Sequence, residues 1–278
     1  MKKMLIWFVI FMLASFCAPA LAAEVTMPEG GIVKLDPAGT YLDLDDDGEA
    51  ELISLSMEVT DEYESFTLKV NDSVLLQDGW GLTGDLFAVQ MRHRICLAVP
   101  EYGMSDDHYS YMYVYENGVL TEVGGIPALA NDMEKTMTGV AAMVRGSTLQ
   151  TWFRPAEFVL ATGGYFTPDS YDYISFPPVV VEVPRGYYPV GTVVRLKQDV
   201  TLQQSPVNPA AARTLKSGEM AVIAATDDQE WLYIVTLEDY EYGEFGAGWA
   251  HMTDLLYVDT DAGSMFSSEV FDGLLFAD

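Results

Sequence analysis

The chain is short of the residue types that carry most enzyme chemistry. Among 278 residues there are two cysteines and three histidines, and 14 lysines and arginines stand against 42 aspartates and glutamates. Cys17 lies inside an apolar N-terminal stretch, so a chain cleaved after it keeps only Cys96 and forms no internal disulfide. Stability must then come from buried cores and, where ligands allow, from metal. The formal charge of −28 excludes nucleic acid as a partner and repels anionic membrane surfaces and teichoic-type polymers unless a cation bridges them. An acidic surface also keeps an exported protein soluble, so the charge by itself demands no partner.

Catalytic constellations are missing as well. There is no Gly-x-Ser-x-Gly elbow, no Ser-x-x-Lys pair and no phosphate loop. A wall-cleaving cysteine peptidase needs its cysteine in an Asp-Cys-Ser setting, whereas Cys96 sits in Arg94-Ile95-Cys96-Leu97-Ala98. That context reads as a buried strand, where a thiol is an inert small hydrophobe. His93, His108 and His251 are isolated and lack zinc-ligand spacing. In a chain with 42 acids a pair of carboxylates suited to glycoside cleavage stands as an alternative to a non-catalytic protein.

Helix periodicity is nearly absent, and strand signals fill its place. Phe66–Val70, Ile95–Val99, Tyr109–Tyr115 and Val119–Val123 alternate or run apolar, with turn residues at Asn71-Asp72, Asp78-Gly79 and Asn117-Gly118. The last is a two-residue hairpin turn. Tyrosines 109, 111, 113 and 115 share one strand face and are expected to pack against a neighbouring sheet rather than to form a carbohydrate platform.

The strongest chemical signal is the run from Asp43 to Glu51. Asp43, Asp45, Asp47, Glu49 and Glu51 occupy alternate positions around Gly48, a pattern that points oxygens at one hard cation such as calcium. An EF-hand is excluded, because its twelfth position would be Ser54 and the flanks Tyr41-Leu42 and Leu52–Met57 read as strands. A strand, a D-x-D-x-D-G-x-x-[DE] loop and a second strand resemble the FG-GAP and VCBS-type calcium repeats, with Glu51 where Asp is commoner. The resemblance implies side-chain ligands from Asp43, Asp45, Asp47 and Glu51 and a backbone carbonyl from Glu49. An acidic turn that stays solvated is the alternative.

Residues 1–22 read as a signal peptide, with basic Lys2-Lys3, an apolar stretch from Met4 to Phe16 and a small-x-small site at Ala20-Leu21-Ala22. The apolar stretch is shorter than the ~20 residues a membrane span needs. Phe16 ahead of Cys17 argues against lipid attachment. The expected location is therefore outside the cytoplasm: extracellular, periplasmic or envelope-associated. There a site with a dissociation constant of ~10⁻⁴ to 10⁻³ M still fills with calcium.

Residues 25–180 are expected to form one all-β domain of propeller-like or sandwich-like antiparallel sheets. A faint repeat links Asp43–Met57, Gln90–Glu101 and Val140–Phe153, and only its first copy keeps the acids. In the second copy Arg92-His93-Arg94 stands where carboxylates would be. Asp106 and Asp107, in a Gly-Ser-acid stretch from Gly103, are expected in a solvated turn. Prolines at 177, 178, 184 and 189 mark a boundary.

Residues 191–258 resemble a bacterial SH3-like barrel. Thr192–Leu196, Val200–Pro206, Leu215–Ile223, Trp231–Val235 and Gly248-Trp249-Ala250 follow the order of that family's strands. Two places depart from it: Gln203-Gln204 in the usual Arg-Ser-Gly-Pro turn, and a long acidic loop from Glu238 to Phe245. Relatives use the barrel to bind wall peptide or to pack on a neighbouring domain. For a ligand groove the candidates are Tyr233, Tyr240, Tyr242 and Trp249, while Trp231 and Trp249 are also expected to fill the barrel core. Residues 259–278 end apolar and are expected to dock as a strand on the first domain or on a partner.

The combined expectation is a non-catalytic envelope protein, stabilised by structural calcium, that binds a wall peptide or an envelope protein. The alternatives are a purely structural or adhesion module and the hydrolase named above.

Overall fold

The computed structural model describes residues 22–60, 62–103, 107–149, 152–166, 173–242 and 247–274. The expected signal peptide therefore lies outside the described residues, save its last position. The chain is all-β, as alternation along the sequence requires. In β4, for example, Ile53 and Leu55 point inward while Leu52, Ser54 and Ser56 point away.

Strands β1 (Ala23–Glu24), β2 (Ile32–Leu35), β3 (Thr40–Leu42), β4 (Glu51–Val59), β5 (Glu64–Val70) and β6 (Ser73–Gly79) come first. The last four make an antiparallel meander, and β1 joins β3 in parallel. A second meander is built from β7 (Leu86–Met91), β8 (Arg94–Glu101), β9 (Tyr109–Glu116) and β10 (Val119–Ile126), with β2 at its edge beside β7. The third comprises β11 (Glu134–Lys135), β12 (Gly139–Arg145) and β13 (Phe153–Ala161). After a small hairpin of β14 (Gly164–Phe166) and β15 (Tyr173–Ser175), it is completed by β16 (Val179–Glu182).

These three sheets stack in layers, and the middle one is apolar on both faces. Leu86, Ala88, Leu97, Val99 and Tyr113 meet Ile53, Phe66 and Leu68 of the first sheet. Phe87, Val89, Cys96, Ala98 and Met112 meet Val140, Ala142, Ala156 and Phe158 of the third. Each large side chain so buried contributes about 1.5–3 kcal/mol. The tyrosine row behaves as expected at its inner end: Tyr113 and Tyr115 are buried, and Phe66 packs edge-on against Tyr113.

The three sheets share an antiparallel order of four strands, and the expected third copy lies one strand out of step with the other two. The acidic loop joins the first two strands of its sheet, and Arg92-His93 joins the first two of the next. The matching turn in the third sheet is β11–β12, whereas Val140–Phe153 spans β12–β13.

The second module holds β17 (Tyr188–Leu196), β18 (Val200–Ser205), β19 (Asn208–Leu215), β20 (Met220–Thr226), β21 (Trp231–Thr236), α1 (Leu237–Tyr242), β22 (Gly248–Thr253), β23 (Tyr257–Thr260), β24 (Gly263–Phe266), α2 (Ser267–Val270) and β25 (Phe271–Asp272). Its main sheet runs β19-β18-β22-β21-β20-β17-β25 around one core, and among the described residues it does not close into a ring. Gly248 permits β22 to approach β18, since a Cβ there would stand 2.6 Å from the Gln203 carbonyl oxygen. The acidic stretch expected as a loop begins as α1, and residues 243–246 lie outside the described part.

Two boundaries differ from expectation. The tail docks on its own module: Phe271 pairs with Leu196 of β17, and Val270 and Phe271 enter that module's core. The first module also reaches into the second. Leu149 and Trp152, from the β12–β13 connection, are buried in the second core beside Tyr188, Leu232 and Met252.

Candidate functional site

The acidic loop closes the β3–β4 hairpin, in which Leu42 faces Glu51 across the ladder. Asp46 at φ 63° and Gly48 at φ 89° give the left-handed backbone that so tight a loop requires. The loop is tied by its own carboxylates. Asp43 accepts the Asp47 N–H on Oδ1 at 3.2 Å and the Gly48 N–H on Oδ2 at 3.0 Å. Asp47 Oδ1 accepts from the Glu49 N–H at 2.7 Å, and Glu51 Oε2 accepts from the Leu44 N–H at 2.8 Å.

The result brings three of the five expected acidic residues together. One ligand oxygen from each of Asp43, Asp45 and Glu51 lies within 4.8 Å of the others, so the triad could hold a metal ion. Asp47 and Glu49 stand beside it, bordering the same open cavity of about 570 Å³ with Asn71 and Tyr115. Glu51 is the buried member, and burial first, then the charges of Asp45 and Asp47, raise its pKa above the usual carboxylate range against the opposing pull of the Leu44 amide. Converging carboxylates in a partly desolvated place repel one another, and an oxygen-loving cation relieves that repulsion. The donor set is all oxygen, which fits a hard cation.

The aromatic candidates of the second module resolve differently. Leu232 and Ile234 of β21 and Ala250 and Met252 of β22 fill the core. The alternate residues Trp231, Tyr233, Trp249 and His251 therefore lie on the outer face, and neither tryptophan occupies the core expected for it. On that face the Trp249 ring lies between Tyr233 and Tyr187, with ring centroids 4.9 Å apart in both pairs. Tyr187 was not singled out in the sequence, because it falls in the proline-marked linker where periodicity gives no signal. Tyr240 is half exposed on α1, and the Tyr242 side chain lies outside what is described.

The histidines stay apart. His251 Nδ1 lies 2.7 Å from Asp259 Oδ2 with its ring on Trp231, and His108 packs edge-on to Tyr102. Cys96 is fully buried, and burial pushes its thiol up to about 12. Asp106 lies outside the described residues, and Asp107 pairs with Arg145 of β12 at 2.8 Å. Among the described residues no helix is long and apolar enough to cross a membrane. No protein-family model, curated protein or solved structure matches the chain.

Proposed function

We propose that the protein is a non-catalytic, exported envelope protein whose second module takes a wall peptide or a protein partner on the outer face of β21 and β22. The observation that carries this reading is the half-buried row Tyr187–Trp249–Tyr233. Three rings in tilted contact on the solvent side of a sheet add nothing to the core beneath them. They offer flat apolar faces with polar tips, the surface an extended peptide uses as an anchor. In the same reading calcium binds Asp43, Asp45 and Glu51, with Asp47 and Glu49 alongside, and serves stability rather than recognition. Cys96, masked and un-ionised, and the scattered histidines support a protein without nucleophilic or zinc chemistry.

Sedimentation with purified peptidoglycan, with and without EDTA, tests the proposal. The wild type should co-sediment, and Tyr233→Ala and Trp249→Ala should each release most of it. A wild type that stays in the supernatant removes wall binding and leaves a structural or adhesion module. Release of soluble sugars or peptides from the wall would instead favour a hydrolase.

A further inference from the structure

The tyrosine row of β9 is divided. Tyr113 and Tyr115 are buried between sheets, whereas Tyr109 and Tyr111 emerge half covered into an open cleft of about 510 Å³ at the end of the middle sheet. The cleft is also lined by Glu101 of β8, Asp107 and Arg145. Its volume is that of a small-molecule site.

The walls are held in place. Tyr109 packs edge-on to Tyr111, with centroids 5.1 Å apart. Its ring lies so close over Gly125 of β10 that a Cβ there would fall 2.2 Å from the phenol, so the glycine makes the seat for the ring. Glu101 Oε2 accepts from the Tyr111 hydroxyl at 2.9 Å and from the Trp80 N–H at 3.1 Å. Burial and that bond raise the Tyr111 phenol well above its ordinary pKa, so it remains a donor at any physiological pH. Arg145 donates to Asp107 at 2.8 Å across the cleft.

We infer that this cleft binds a neutral sugar unit of a glycan. The carboxylates of Glu101 and Asp107 present acceptor oxygens that match the adjacent hydroxyls of a pyranose, and Arg145 holds Asp107 in place. The ring of Tyr109, fixed over Gly125, gives a flat apolar face for the sugar's C–H side. Among the described lining residues Glu101 and Asp107 outnumber Arg145, so the cleft disfavours an anionic ligand. This site is separate from the aromatic row on β21 and β22, and its failure would leave that proposal standing.

The test is saturation-transfer NMR on the full mature chain with chitotetraose, cellotetraose and maltotetraose. At least one of them should give a saturable signal. Tyr109→Ala and Arg145→Met should each weaken it about tenfold, the worth of one good contact, while Trp249→Ala leaves it unchanged. If Tyr109→Ala loses its melting transition, Arg145→Met decides alone, because it keeps an unbranched side chain of similar length and removes only the charge that holds Asp107. Absence of transfer from all three sugars, or binding unaltered by Arg145→Met, overturns the inference.

Discussion

Arg154 of β13 and Asp228 of the β20–β21 turn, 74 residues apart in the chain, meet through a 2.9 Å bond from Nε to Oδ2 with both side chains buried. The carboxylate is saturated: Asp228 Oδ1 also accepts the Ser147 and Thr148 N–H groups and the Thr148 hydroxyl. Arg154 gives its terminal nitrogens to Glu182, and its guanidinium lies 4.1 Å above the Tyr188 ring. A buried pair is tolerated only with such complete hydrogen bonding, and here it fastens one module to the other.

Asp228→Ala is therefore expected to cost about 3–5 kcal/mol, because it leaves the buried Arg154 Nε–H and the Ser147 and Thr148 amides without an acceptor. Urea unfolding of the wild type should show one transition, since Leu149 and Trp152 belong to the second core. In the variant that transition should shift strongly or split. A loss below about 1 kcal/mol, typical of an exposed pair, would show that the contact does not hold the modules together.

Calcium should raise the melting temperature. At a hundred times its dissociation constant it adds about 2.7 kcal/mol, or several degrees in a chain of this size. Glu51→Gln and Asp45→Asn should remove the response without changing the melting curve in EDTA by a comparable amount. A wild-type curve indifferent to calcium and EDTA would leave the loop as an acidic turn.

Thiol reagents should fail to modify native Cys96 up to mildly alkaline pH. Its pKa of about 12 keeps it protonated, and the third sheet covers it. Mass spectrometry should find the adduct only after denaturant is added. Rapid labelling of the native protein would contradict the layered packing around β8.

The C-terminal strand should be a stabilising part of the second module. Phe271→Ala is expected to cost about 3–5 kcal/mol, the usual loss for a buried phenylalanine. Truncation after Thr260 should cost at least as much, since it also uncovers β17. Unchanged thermal melting after truncation would mean that the strand does not dock.

Much of this architecture was legible where one residue in two is polar. β4 and β5 declare their inner faces through Ile53, Leu55, Phe66 and Leu68, and the Asn117-Gly118 turn has the positive φ values its residues favour. The acidic loop was legible because no core can hold that many carboxylates. β21 was not, since Trp231, Leu232, Tyr233 and Ile234 are all apolar and either parity could face inward. Periodicity is also silent on contacts such as Arg154–Asp228 or Trp152 with the second core, which depend on how two modules meet.

The middle sheet carries a further consequence. Polarity cannot set its register, because a slip of one residue would exchange one apolar face for another. What distinguishes the faces is size: Cys96 and Ala98 look one way, and Leu97 and Val99 the other. The short turns at Arg92 and Asn117-Gly118 must then fix the pairing. Ile95–Val99 is also uncharged and β-prone, the composition of a self-associating segment when left bare. Until the outer sheets cover it, the best-shielded part of the native protein is the part of the nascent chain at greatest risk of aggregation.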